Sequence, residues 1–226
     1  QVFIYNISFD KDKLHNLFYI NNIAYAEITN KEIFLLPIFL KDNEINVYNN
    51  NYFYDKWKLN SDNSMTIKPG TGSIETKVEH ESIQLHIEWK SPIENEGEGQ
   101  TRGNSGIIFQ ARYEVQVLNS YQNKTYPDGQ AGSIYGQHVP LVNAMRPTGE
   151  WQVYDIIFNA PKYDDKEVIT KPGSFIVLHN GVIIQNAVEI NSPTLGIDKG
   201  TKKVLILQDH DKNGSVCYRN IWMRRI

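Results

Sequence analysis

The sequence predicts an all-β chain folded as an antiparallel two-sheet sandwich or jelly roll. Three observations carry that expectation. Apolar and polar residues alternate over several short segments, which is the period of a strand with one buried face. Gly, Pro and Asn punctuate the chain between those segments at the spacing of turns, as antiparallel strands require. Helical periodicity is nearly absent, and no strand is followed by a convincing crossover helix, which argues against a βαβ arrangement.

Residues 1–55 are Asn-rich, with apolar runs at Val2–Ile7 and Ile33–Leu40 but no clear period. Two expectations stand for them: extra strands of the sandwich, or an extension packed against it. Residues 56–226 are expected to form the jelly-roll domain. Predicted strands run over Gly72–Val78, Ser82–Lys90, Gly106–Gln110, Arg112–Leu118, Ala131–Tyr135, Trp151–Asn159, Ser174–His179, Val182–Asn186, Lys203–Asp209 and Ser215–Arg224. In Ser82–Lys90 the alternation puts Ile83, Leu85, Ile87 and Trp89 on one face and Gln84, His86 and Glu88 on the other. In Arg112–Leu118, Tyr113, Val115 and Val117 oppose Arg112, Glu114 and Gln116. Asn180-Gly181 is the strongest hairpin signal, because a type I′ turn needs positive φ at both central residues. Asn213-Gly214 is a second.

The 226 residues, 40% hydrophobic and 22% charged, suffice for one large β-domain core. A formal net charge of −3 lacks the clustered Lys and Arg that phosphate neutralisation needs, so no nucleic-acid partner is expected. The longest apolar run is too short to cross a bilayer and is broken by Pro37. The single cysteine, Cys217, rules out an intramolecular disulfide, and its place in an apolar strand reads as a buried, inert thiol. No signal peptide is visible. A start at Gln1 leaves room for an export signal upstream, and the expected location is the periplasm, the cell envelope or the outside of the cell. Sequons at Asn6, Asn123 and Asn213 matter only in a glycosylating host.

Glu114 and Gln116 carry the most chemical information. Two residues apart on a strand, they project to the same side about 7 Å apart, a surface suited to sugar hydroxyls or, equally, an ordinary solvated sheet face. Glu88 and His86 form a second polar pair. If the two strands neighbour each other, Glu88 and Glu114 stand roughly 5–9 Å apart, the separation that glycoside hydrolysis uses. If not, Glu88 reads as a cross-strand partner of Lys or Arg. Gln208 and His210 share a face at the end of a strand, where a histidine can act as acid or base; a solvated turn is the alternative. Asp209, His210 and Asp211 diverge too much for a metal site, and neither a metal nor a cofactor is expected. Gly97–Gly106 lacks the strand, helix and Lys of a phosphate cradle and reads as a rim loop. Tyr121, Tyr126, Tyr135 and Trp151 are stacking platforms for pyranose rings or core aromatics.

Several ordered segments then resemble one family, that of 3-keto-disaccharide hydrolase domains. They are Gly103–Ile107, Tyr113–Leu118, Asp128–Gln137, Gly149–Gln152, His179–Val182, Leu207–His210 and Arg219–Trp222, spread from about Trp57 to the C-terminus. The resemblance implies a concanavalin A-like jelly roll and an oligosaccharide or glycoside substrate oxidised at carbon 3. It implies Glu114 as catalytic carboxylate or base, Glu88 and His210 as acid–base partners, and Gln116, Gln208, Arg219, Asn104, His86 and Tyr135 as substrate-binding residues. The Glu114, Gln116, Asn119 spacing is also similar to the Glu-x-Asp-x-x-Glu strand of laminarinase-type glucanases, although Asn119 cannot donate a proton as the second glutamate does. A non-catalytic carbohydrate-binding module of the same fold is the competing reading, and a structural or adhesion domain of the envelope is a third.

Overall fold

The computed structural model describes residues 57–226 apart from 77, 94–96, 167, 191, 195–202 and 211–214, together with the backbone of three N-terminal strands. Those three are β1 (Leu14–Ile20), β2 (Ile23–Ile28) and β3 (Ile33–Leu35). They are followed by β4 (Trp57–Leu59), β5 (Met65–Ile67), β6 (Ile74–Glu75), β7 (Ile83–Lys90), β8 (Ser105–Phe109), β9 (Tyr113–Val117) and β10 (Gln152–Asn159). The chain continues with β11 (Lys162–Tyr163), β12 (Ile169–Lys171), β13 (Ser174–His179), β14 (Val182–Glu189), β15 (Ile206–Leu207) and β16 (Cys217–Arg225).

Two antiparallel sheets form the sandwich. The larger has the order β14-β13-β10-β7-β16-β5-β4, with β3 also paired to β16; the smaller has the order β6-β15-β8-β9. The alternation in β7 does what its pattern dictates: Ile83, Leu85, Ile87 and Trp89 are fully buried, and the residues between them are half-exposed. Tyr113, Val115 and Val117 of β9 enter the same core from the other side. Rings interlock across the two sheets, Phe109 with Phe158 and Phe175 at 5.1 Å each and Tyr113 with Phe158 at 5.9 Å. Core tyrosines also bond across the gap, Tyr154 Oη to the Gln116 carbonyl at 3.0 Å and Tyr218 Oη to Ser105 Oγ at 2.7 Å. These bonds satisfy hydroxyls that would otherwise be costly to bury and fix the small sheet against the large one.

Asn180 and Gly181 have φ of 53° and 82° and join β13 to β14 as the two-residue turn the sequence predicts. Asn213-Gly214 lies outside the described residues. Other expectations need correction. Ala131–Tyr135 is a turn-rich segment joined to β9 by the isolated Val115–Ile134 bridge and by backbone bonds with Glu114 and Gln116, not a strand, because its Gly132 adopts φ 78° and breaks the extended run. The strands expected at Gly72–Val78 and Lys203–Asp209 shorten to β6 and β15, whose pairing with each other covers two residues. Short β4, β5, β11 and β12 carry too few residues to show a period. Cys217 is half-buried rather than buried, with its thiol 2.8 Å from Thr66 Oγ1. The Asn123 amide is occupied in three bonds, with Gly99 N, Gly99 O and Asn119 O.

Phe158 sits at the centre of the aromatic cluster. Phe158→Ala is expected to lower the unfolding free energy by about 3–5 kcal/mol, read from urea denaturation at neutral pH.

Candidate active site and a second polar face

Glu114 and Gln116 lie on the outer face of the small sheet, away from the inter-sheet core. The register supplies their neighbours. In the β8–β9 pair Glu114 is opposite Ile108 and Gln116 is opposite Gly106. Ile206 is opposite Ile108 and Leu207 opposite Ile107, so Gln208, whose backbone N–H donates to the Gly106 carbonyl at 2.9 Å, continues the Gly106 row. On the other side of β9, the bridge between Val115 and Ile134 sets Tyr135 opposite Glu114, and the Tyr135 N–H donates to the Glu114 carbonyl at 3.1 Å. One row across the sheet therefore reads Gln116, Gly106, Gln208, and the next reads Tyr135, Glu114, Ile108.

The glycine in that lattice makes the site. A Cβ built at Gly106 would stand 2.4 Å from Glu114 Oε1 and 2.9 Å from its Cδ, so the Glu114 side chain leans diagonally into the space a side chain at 106 would fill. The carboxyl is thereby buried, with 4% of the residue exposed. The Gln116 amide, its nitrogen turned to the oxygens it faces, donates to the Ser105 carbonyl at 3.0 Å and to Glu114 Oε1 at 3.2 Å. Burial alone pushes the Glu114 carboxyl up to about 7, since charge is disfavoured where water is excluded. Gln208 adds a buried amide oxygen with no hydrogen-bond partner.

The rim is built from loops. Asn104 is buried, and its side-chain amide donates to the Gln100 carbonyl at 2.8 Å, which pins the glycine-rich loop over the site. With the Gln116 amide so turned, its oxygen faces the Gln100 side-chain amide at 2.9 Å. Tyr126 is 44% exposed, and its ring lies over Gly129, where a Cβ would meet it at 2.1 Å. Its hydroxyl is 2.5 Å from that of Tyr135. The Tyr126 phenol is raised above its ordinary value by burial first, then by the bond with Tyr135, and also by the negative charges of Asp128 and Glu114. His210 is exposed beyond the end of β15, two residues past Gln208.

Glu88, His86 and Arg219 are elsewhere. β7 pairs with β10 and β16, not with β9, and Glu88 projects from the outer face of the large sheet. Both sheets, spaced about 10 Å, separate it from Glu114. The expected carboxylate pair is therefore not formed, and Glu88 is the cross-strand partner of a cation: Arg219 Nε donates to its Oε2 at 2.6 Å and Asn220 Nδ2 to its Oε1 at 2.8 Å. A bulge between Arg219 and Trp222, with Asn220 at φ 47°, turns two successive side chains toward Glu88. His86 Nδ1 lies 2.7 Å from Asp155 Oδ1, and the ring stacks on Trp222 at 5.3 Å. Trp151 joins this face with the Arg219 guanidinium 3.9 Å above its ring, not the site around Glu114. Burial opposes charge on His86, but the bonds with Asp155 and Glu88 outweigh it and raise the imidazole to about 9. The His86 imidazolium, at 3.9 Å, is the first cause that lowers Glu88 to about 2, with Asn220 and Arg219 adding to it against desolvation.

Sequence reasoning missed Gly106 and Asp155. The outward position of Asp155 follows from alternation in Trp151–Asn159; the role of Gly106 needs the β8–β9 register, which no local pattern reveals. Among the described residues no group of three or more His, Cys, Asp or Glu is arranged to hold a metal, and no helix is long and apolar enough to cross a membrane.

The antiparallel jelly-roll sandwich, with a buried carboxyl among amides on one outer face, defines a glycosyl hydrolase-like domain. Residues 43–224 match the family of 3-keto-alpha-glucoside-1,2-lyase-like domains, and the chain belongs to that family. The match begins upstream of the boundary expected near residue 56. A crystal structure of a "putative glycosyl hydrolase" from Parabacteroides distasonis is 43% identical, with TM-score 0.71 over 75% of this chain and 74% of that one. Two further structures so named from the same organism share the fold at 18% and 20% identity. Their TM-scores are 0.53 and 0.52, over 75% and 78% of this chain and 83% and 93% of theirs. Among curated proteins none matches.

Two stability measurements separate the faces. The folded pKa of Glu114 is raised from 4.5 to about 7, so its contribution is fully present below pH 4.5 and lost as pH rises through 7. Glu114→Gln is expected to be more stable than wild type at pH 8, by up to about 3 kcal/mol, with the gain vanishing at pH 4. Glu88→Gln is expected to cost about 1–2 kcal/mol after solvent screening. The raised His86 contributes fully below 6.5 and is lost through 9, whereas the lowered Glu88 contributes fully above 4.5 and is lost through 2. The deficit of Glu88→Gln is therefore largest between pH 4.5 and 6.5, and thermal melts across pH 2–9 check both signs.

Proposed function

We propose that the protein cleaves glycosides whose sugar is oxidised at carbon 3, with Glu114 as the base that removes the carbon 2 proton. The observation that carries this reading is the Glu114 carboxyl, buried over Gly106 and poised near pH 7. A general base works best when its pKa lies near the operating pH. The ketone at carbon 3 acidifies the neighbouring C–H bond enough for such a base. The C2–H electron pair moves to form an enolate on the carbon 3 oxygen. When the carbonyl re-forms, the C1–O bond breaks and the C1–C2 double bond appears; water added across that bond afterwards gives the free 3-keto sugar.

Displacement at carbon 1 by the two-carboxylate route is less well supported. It needs a second carboxyl group within about 10 Å on the same face, and Glu88 projects from the far side of the sandwich. Elimination asks for one carboxylate and donors near the ketone oxygen. The amides of Gln116 and Gln208 flank the Gly106 gap, and the unpartnered Gln208 oxygen suits a sugar hydroxyl donor.

Purified protein is expected to release the aglycone from a 3-keto disaccharide and to leave the unoxidised parent intact. Glu114→Gln is expected to retain binding while kcat/KM falls by about 10²–10⁴-fold. For wild type, kcat/KM should rise with pH to a plateau above about 7. Saturable sugar binding with no turnover by the folded wild type would favour a carbohydrate-binding module instead.

A further inference from the structure

Elimination across carbons 1 and 2 needs an acid as well as a base. The oxygen that leaves carbon 1 is an alkoxide when the aglycone is a sugar, too poor a leaving group to depart unprotonated near neutral pH. The bonds that break, C2–H and C1–O, belong to adjacent carbons, so the acid must stand beside Glu114. The amides of Gln116, Gln208, Asn104 and Gln100 can donate hydrogen bonds but do not release protons. Glu88 and His86 project from the opposite face.

Resting on the proposed base role of Glu114, we propose that Tyr135 is the catalytic acid of this site and that Tyr126 is its positioning partner. Tyr135 stands directly opposite Glu114 across the Val115–Ile134 bridge and is fixed by its N–H bond to the Glu114 carbonyl. Directly opposed residues hold their Cβ atoms about 4.5–5.5 Å apart, which spans two neighbouring substrate carbons. The phenol is longer than the glutamate and reaches past it toward the rim, where its hydroxyl meets that of Tyr126. Tyr126 is seated by Gly129, whose missing side chain admits the ring.

The step balances without another reagent. The Glu114 carboxylate takes the C2 proton, the C1–O electrons leave on the aglycone oxygen, and the Tyr135 hydroxyl transfers its proton to that oxygen. The phenolate then accepts a hydrogen bond from Tyr126. The products are an unsaturated 3-keto sugar and the free alcohol, and return of one proton from Glu114 to the phenolate through water resets both groups.

An acid of this kind is exposed by its dependence on the leaving group. A 3-keto disaccharide needs protonation, whereas the 4-nitrophenyl 3-keto glycoside expels a stable phenolate. In Tyr135→Phe the ratio of disaccharide to nitrophenyl kcat/KM is expected to fall by about 10²-fold, and in Tyr126→Phe by a smaller factor. Loss of packing alone would lower both substrates equally, so an unchanged ratio overturns the assignment. A loss confined to the disaccharide in His210→Ala, with the ratio unchanged in Tyr135→Phe, would overturn it in favour of His210. Failure of the wild type on both ketones removes the base role of Glu114 and this proposal with it. Turnover of both ketones by wild type with an unchanged ratio in Tyr135→Phe removes only the acid.

Discussion

The Glu114 carboxyl occupies the volume that a Cβ at position 106 would take, and the arrangement of the small sheet follows from that contact. A carboxylate leaning across a neighbouring strand needs a residue without a side chain diagonal to it, and Gly106 is held there by the β8–β9 register. Glycine weakens a strand interior. The core below repairs the weakness, because Tyr218 bonds to Ser105 and Tyr154 to the Gln116 carbonyl on either side of the gap. The backbone under the carboxyl is thus fixed from the core while the outer face is left open for Glu114.

The two outer faces treat their carboxylates in opposite ways. On the large sheet, Glu88 is surrounded by Arg219, Asn220 and His86 and held in its charged form across the whole physiological range. On the small sheet, no cation among the described residues bonds to the Glu114 carboxyl, so burial decides and the protonated form persists to about pH 7. A paired carboxylate contributes to folding but is a poor base, since its proton affinity has been removed by its partners. The unpaired one destabilises the fold near neutral pH, and that cost is the usual mark of a site shaped for chemistry rather than stability.

Alternation alone is enough to assign β7 and β9, because each has a face that is wholly apolar, whereas Gln152 and His179 interrupt the buried faces of β10 and β13. It also placed Glu114 and Gln116 together. It does not say which strands pair, so the separation of Glu88 from Glu114 stays conditional in the sequence; both lie on polar faces, but of different sheets, and the alternative of a cross-strand cation is the one the structure shows. Ala131–Tyr135 reads in the sequence as a strand, yet Gly132 at positive φ interrupts it. The positions that depend on register, Gly106 and the Tyr135–Glu114 opposition, carry no local signature at all. The family resemblance rested on the same segments that line the two faces, which is why it located the relevant residues without sorting them.

Asn119 closes the comparison with the two-glutamate strand. Its side chain bonds Thr148 Oγ1 at 3.0 Å and accepts from the Tyr121 N–H at 3.3 Å, and its backbone accepts from Asn123 at 2.8 Å. It braces the loop that follows β9 and lies beyond the last residue of that strand, where the alternation that aims Glu114 and Gln116 outward no longer applies. Under the proposed mechanism, the proton donor for the face of Glu114 therefore comes from across the strand rather than along it. The segment that crosses there is the bridge at Ile134, and the side chain it sets opposite the carboxyl is a phenol, so the proposed pair is a carboxylate and a tyrosine on two strands in exchange for two carboxylates on one. That exchange suits a reaction in which one proton is pulled from carbon and another is given to oxygen, with no covalent bond to the protein in between.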